Sequence, residues 1–140
     1  MLKQLFGKII LVDDDVREKR LVELALNLAN WNVTVEFYKD AKDALTHLKN
    51  AAKGKIFLVI SDMNMRDMNG LEFKDALDKD HILSDNAIPF VFASSSCTEE
   101  QIAEAFRHNI QGFFAKPISL DEQATILDKI INYWIINRHP

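Results

Sequence analysis

The chain has 140 residues, 48% hydrophobic and 27% charged, with 17 basic against 21 acidic side chains and a formal charge of −4. That length suits one domain with a core that needs no disulfide or metal staple, and the composition excludes disordered and collagen-like chains. No apolar run approaches the ~20 residues of a membrane-spanning helix, the lone Cys97 allows no internal disulfide, and mild acidity without a basic block argues against nucleic acid as a partner.

The opening stretch MLKQLFGKIILVDDD ends in three aspartates rather than a small-residue cleavage site, so it reads as a first strand and not an export signal. A cytoplasmic protein is expected. Lys8–Val12 is short, β-branched and almost all apolar, the pattern of a strand buried on both faces. Asp15 and Glu18 have capping-box spacing, and Leu21, Leu24, Ala25 and Leu28 then form a helical stripe. Val33–Tyr38 is the second strand. Asp40 caps a second helix with Ala41, Ala44, Leu45 and Leu48 inward, and Gly54 breaks the chain before a third strand, Ile56–Ile60.

Asn69-Gly70-Leu71-Glu72 opens a third helix that turns Phe73, Ala76 and Leu77 inward. Ile88–Ala93 is a fourth strand entered through Pro89. Thr98 and Gln101 box the fourth helix ahead of Ile102, Ala105 and Phe106. Gly112–Ala115 is a fifth strand. Ser119 and Glu122 box the last helix, whose inner face is Ile126, Leu127, Ile130, Ile131 and Trp134. The order is (βα)5. Crossovers of this length require parallel strands with helices on both faces, and five units are too few for a barrel. The expected fold is an α/β, doubly wound, open five-stranded sheet, with its ligand beyond the carboxyl ends of the strands.

At those ends stand Asp13, Asp14 and Asp15 after strand one, Asp62 and Asn64 after strand three, Ser94-Ser95-Ser96 after strand four and Lys116-Pro117 after strand five. If strands one and three are neighbours, Asp13, Asp14 and Asp62 converge, with Lys116 and Ser94 around them. Two carboxylates about 4 Å apart repel by roughly 4 kcal/mol at an effective dielectric near 20, so one lysine cannot keep three of them ionised. A divalent cation is called for, and an all-oxygen set with few protein ligands suits Mg2+. A carboxylate beside a metal-held phosphoryl group can act as nucleophile, with Lys116 and Ser94 serving the phosphoryl oxygens. Asp15, by contrast, reads as a helix cap.

The runs Ile10-Leu11-Val12-Asp13-Asp14-Asp15, Val59-Ile60-Ser61-Asp62-Met63-Asn64-Met65, Asn69-Gly70-Leu71-Glu72 and Lys116-Pro117 resemble the receiver domain of two-component response regulators. The resemblance runs from about Lys8 to about Asn132 and keeps the order of every motif. The stretch around Asp62 is particularly similar to the chemotaxis response regulator that consists of a receiver alone. The resemblance implies a flavodoxin-like sheet of order 2-1-3-4-5 and a single receiver over residues 1–140. It implies Asp62 as phosphoacceptor, and Mg2+ held by Asp13, Asp14, Asp62 and the backbone carbonyl of Asn64. Ser94 stands at the switch Thr/Ser position and Phe113 at the aromatic that changes rotamer on activation. Pro117 matches a proline usually joined through a cis bond.

Three positions depart from the pattern. Arg66 stands where proline is usual, Asn69 replaces a frequent Asp, and Ser94 lacks the methyl of Thr. None removes a group the chemistry needs. At the C-terminus Tyr133, Ile135 and Ile136 extend an apolar helix end that suits either core or interface. His47, His81, His108 and His139 have no metal-ligand spacing, and the terminal Asn-Arg-His-Pro reads as a solvated tail.

The expected function is a stand-alone receiver that takes a phosphoryl group from a histidine kinase or histidine phosphotransfer protein. It would signal to a downstream protein through helix four, strand five and helix five, or relay the group onward. The chain would catalyse only its own phosphorylation and dephosphorylation. It would act as a monomer or phosphorylation-dependent homodimer, with neither nucleic acid nor membrane as partner. The rival is a haloacid-dehalogenase-like phosphatase with the nucleophile in Asp13-x-Asp15. Its case is weakened by a late strand that ends in Lys116-Pro117 instead of a further acidic pair. An FMN binder of the same topology needs a phosphate loop where three aspartates stand. A degenerate receiver acting as an unphosphorylated scaffold remains, although every reactive group is present.

Overall fold

The structure is a computed structural model and describes residues 1–50, 55–83 and 87–137. Gly54 and the terminal residues with His139 lie outside the described residues. Five strands form the main sheet: β1 (Lys8–Val12), β2 (Val35–Tyr38), β3 (Ile56–Ser61), β4 (Phe90–Ser94) and β5 (Gly112–Ala115). Five helices alternate with them: α1 (Arg17–Leu28), α2 (Ala41–Asn50), α3 (Gly70–Lys79), α4 (Glu99–Phe106) and α5 (Leu120–Ile136). All strand pairs are parallel and the order is β2-β1-β3-β4-β5, the doubly wound arrangement expected from the crossovers. The order reverses between β1 and β3, so a crevice opens past their carboxyl ends.

Alternation along the strands divides the core in two. Ile9, Leu11, Leu58, Ile60 and Val91 pack with Val22, Ala25, Leu26, Leu127 and Ile131 under α1 and α5. Ile10, Val12, Val59, Phe90 and Phe92 pack with Ala44, Phe73, Leu77 and Ala105 under α2, α3 and α4. Both faces are covered, which is why β1, β3 and β4 read as continuous apolar runs.

The helix starts have identifiable causes. Asn69 Oδ1 accepts from Glu72 N at 2.9 Å while Glu72 returns a bond to Asn69 N, and Thr98 and Gln101 do the same for α4. Asp40 caps α2 through Asp43 N at 2.8 Å, and Ser119 caps α5 through Glu122 N at 3.1 Å.

Several local expectations change: β4 begins at Phe90 rather than Ile88, Ser119 caps α5 without the return bond from Glu122, and Phe106 is exposed. Helix α1 starts without a side-chain cap on its first turn, and the Asp15–Glu18 box does not form. Asp15 bonds Arg17 instead, through its amide at 3.0 Å and its guanidinium at 2.9 Å. The buried stripe of α1 is Val22, Ala25 and Leu26, with Leu21 and Leu28 outward, because contact with α5 selects the other of two apolar stripes. The second strand begins at Val35 rather than Val33, and Trp31–Asn32 pair with Lys3–Gln4 outside the main sheet. All described peptide bonds are trans, Lys116–Pro117 included; a proline amide separates the two isomers by only about 0.5–1 kcal/mol.

Candidate functional site

The backbone sets the site before any side chain acts. Asp62 N donates to Val12 O at 2.8 Å, locking the end of β3 against the end of β1. Lys116 N donates to Ser94 O at 2.9 Å, which does the same for β5 and β4. Gly70 lies against the turn after Asp62: a Cβ there would meet the Asp62 carbonyl oxygen and Phe92 Cε1 at 2.5 Å. Only glycine lets α3 start so close to the loop.

Around this frame, Asp13, Asp14 and Asp62 each offer a carboxylate oxygen within 4.8 Å of the others. Asp13 is 1% exposed and fully engaged, Oδ1 accepting from Asp15 N at 2.9 Å and Oδ2 from Lys116 Nζ at 2.6 Å. Asp62 is held more loosely, with Asn64 N at 3.4 Å and Lys116 Nζ at 3.7 Å. Asp14 is exposed. Burial pushes the Asp62 carboxyl above its usual range; Lys116 pulls it back, and Asp13 adds to the rise. Burial works against the Lys116 charge, but the hydrogen bond and charge of Asp13, with Asp62 and Glu18 behind it, hold its pKa above the ordinary value. Arg17 depresses Asp15 to about 2, and Asp15 is thereby a surface ion pair, not part of the cluster.

Ser94 is buried at the end of β4; its hydroxyl reaches Ser96 O at 3.4 Å and lies 3.3 Å from Cys97 Sγ. Asn64 ties the two loops together, its side-chain amide donating to Ser96 O at 2.9 Å. Phe113 pairs in register with Phe92, packs its ring 5.8 Å away and is half-buried on the α4 side of the sheet. Arg66 is exposed. Pro117 lines a cleft of about 50 Å³ beneath the acidic cluster, together with Asp13, Glu18, Asp62 and Lys116. The site residues read from the sequence thus meet at one end of the sheet, with Phe113 set back along β5, the strand that Lys116 follows.

One member was missed. Glu18 points into the pocket, 3.9 Å from Lys116 Nζ, with its side chain only 15% exposed. Its spacing to Val22, Ala25 and Leu26 places it on the buried stripe of α1, and a charged residue on an apolar stripe was the available signal.

Three carboxylates facing one ammonium can take a divalent cation, and an all-oxygen donor set fits Mg2+ better than a thiol- or imidazole-seeking metal. No helix among the described residues is long and apolar enough to cross a membrane.

The family model of the response regulator receiver domain matches residues 9–128. Chemotaxis protein CheY-3 of Vibrio cholerae serotype O1 is 32% identical over 123 residues, covering 88% of this chain and 90% of its own. The probable methanogenesis regulatory protein FilR2 of Methanothrix harundinacea is 24% identical over 136 residues, covering 94% and 86%. Among solved structures, the phosphorylated cyanobacterial phytochrome response regulator RcpA superposes with a TM-score of 0.82 at 24% identity, covering 96% of this chain and 98% of that one. At that identity the likeness speaks for the fold.

Proposed function

The chain belongs to the response regulator receiver domain family, and from that premise we propose that Asp62 accepts a phosphoryl group from a phosphohistidine of a kinase or phosphotransfer protein. The observation that carries this reading is the contrast between the two buried aspartates. Both Asp13 oxygens are committed at 2.6 and 2.9 Å, whereas the Asp62 oxygens are held at 3.4 and 3.7 Å. The carboxylate with the longer contacts is the freer of the two to turn an oxygen toward phosphorus. The same contrast disfavours a phosphatase that attacks through Asp13.

In the transfer, an Asp62 oxygen forms a bond to phosphorus while the bond from phosphorus to the donor nitrogen breaks and its electron pair returns to the imidazole. Asp13, Asp14, Asp62 and the Asn64 carbonyl would hold Mg2+, with residues 8–132 as the receiver core. When bound, the cation supplies the positive charge that lets carboxylates and a phosphoryl group share one pocket. Lys116 moves from Asp13 toward a phosphoryl oxygen, and the Ser94 hydroxyl leaves the Ser96 carbonyl to donate to another. Ser94 moving inward frees space that Phe113 enters, and the face of α4, β5 and α5 changes shape for a downstream protein. Water attack on the acyl phosphate returns the carboxylate and inorganic phosphate.

Exposure to acetyl phosphate with Mg2+ tests this. The wild type should gain the mass of one phosphoryl group, and neither D62N nor metal-free wild type should do so. Undiminished labelling of D62N would overturn the assignment.

A further inference from the structure

Glu18 is the ionisable group of the pocket to which the scheme above gives no part. It belongs to the inward stripe of α1, where burial alone would penalise its charge. Its counter-charge comes from across the sheet: Lys116 Nζ lies 3.9 Å from Glu18 Oε1, nearly the same as the 3.7 Å to Asp62. The ammonium makes its hydrogen bond with Asp13 at 2.6 Å, and two more carboxylates pull on it from similar range. Serving a phosphoryl oxygen on Asp62 requires Lys116 to leave that position. Asp13 is committed to the cation in the scheme above, so Glu18 is the anion that continues to hold the lysine back.

We propose that Glu18 is a positioning residue for Lys116, whose carboxylate restrains the ammonium from the phosphoryl group and so favours the cation-loaded, unphosphorylated state. The inference rests on the assignment of Asp62 as acceptor. Its physical content is a charge of one sign acting on two ligands of opposite sign. An anion beside the pocket strengthens binding of a cation and weakens binding of a phosphoryl-like anion. A residue that merely fills space moves both in the same direction or neither.

The test is calorimetric titration of Glu18→Gln and wild type with Mg2+, then with beryllofluoride at saturating Mg2+. Because the pocket is partly open to solvent, each dissociation constant should change by about three- to tenfold. In Glu18→Gln the Mg2+ constant should rise and the beryllofluoride constant should fall, with slower loss of phosphate from the acetyl phosphate-labelled protein. Glu18→Asp, which keeps the charge, should stay closer to wild type on both. Two unchanged constants, or two weakened together, would overturn the proposal. Should the wild type bind no beryllofluoride, the Asp62 assignment fails. The pairing is then still decided by the Lys116 side-chain nitrogen resonance, which must shift in Glu18→Gln and overturns the proposal if it does not move.

Discussion

Replacing Asp62 by Asn should make the metal-free protein more stable. Three carboxylates reach within 4.8 Å of one another around a single ammonium that is spent mainly on Asp13. At that spacing and an effective dielectric of about 20, each pair of unit charges interacts by roughly 3–4 kcal/mol. For Asp62, two repulsions of this size oppose one attraction to Lys116 at 3.7 Å. Asp14 is exposed and its share is screened to a fraction. The repulsion from Asp13 and the attraction to Lys116 then nearly cancel, and burial of the charge favours a neutral side chain by about 1–2 kcal/mol. For a chain of 140 residues this corresponds to a rise of about 3–6 °C in the midpoint. Thermal unfolding in EDTA can be followed through Trp31, which is buried, bonds Asp128 Oδ1 at 2.7 Å and sits away from the pocket. Saturating Mg2+ should then stabilise wild type by mass action and D62N less, narrowing or reversing the order. A D62N protein less stable than wild type in EDTA would refute the claim that the metal-free pocket disfavours the Asp62 charge.

Lys116→Ala leaves Asp13, 1% exposed, without its ammonium. It should cost about 3 kcal/mol in EDTA by urea titration, permit some labelling by acetyl phosphate, and abolish the response of a partner that binds only the phosphorylated form. Gly70→Ala drives a methyl into the Asp62 carbonyl and Phe92; it should cost about 2 kcal/mol of stability and slow labelling, since the acceptor's own backbone must shift. The pH dependence has a definite sign. Burial raises Asp62 and Glu18, so the folded state binds their protons more tightly than the unfolded chain. Metal-free stability should therefore rise as pH falls from 7 through their raised values. The hydrogen bonds of Asp15 to Arg17, of Glu104 to Arg107 and of Asp128 to Trp31 lower those acids, and that stability is lost at still lower pH. Urea midpoints in EDTA should therefore be higher moderately below pH 7 than at pH 7, and a midpoint falling steadily from pH 7 would contradict it.

Much of this architecture was legible because sequence signals and tertiary demands agreed. Lys8–Val12 and Gly112–Ala115 have the bounds read from their composition, each a short apolar run closed by polar residues or turns. The caps at Thr98 and Ser119 were visible as spacings and that at Asp40 as a residue type. The carboxylate cluster was legible because parallel strands bring the residues after β1 and β3 to the same edge of the sheet.

What escaped was decided by contacts between elements. Helix α1 carries apolar residues on two stripes, and packing against α5 selected Val22 and Leu26 over Leu21 and Leu28. Lys74 sits on the inner face of α3 at 2% exposure, its ammonium paired with Asp78 and 5.8 Å over the Phe90 ring, where pattern alone calls for an apolar side chain. Its long stem packs like one. Glu18 escaped for the same reason, since its neighbour Asp15 offered a local partner while its real partner lies 98 positions away across the sheet. The Asn64–Ser96 bond joins two loops, and no periodicity encodes it.

The most direct test is to label the protein with acetyl phosphate and Mg2+, reduce the acyl phosphate with borohydride, and locate the modified residue by peptide mass spectrometry. Conversion of Asp62, with Asp13 and Asp14 untouched, is the predicted result. Modification at Asp13, or a protein that labels at no aspartate, would contradict the account.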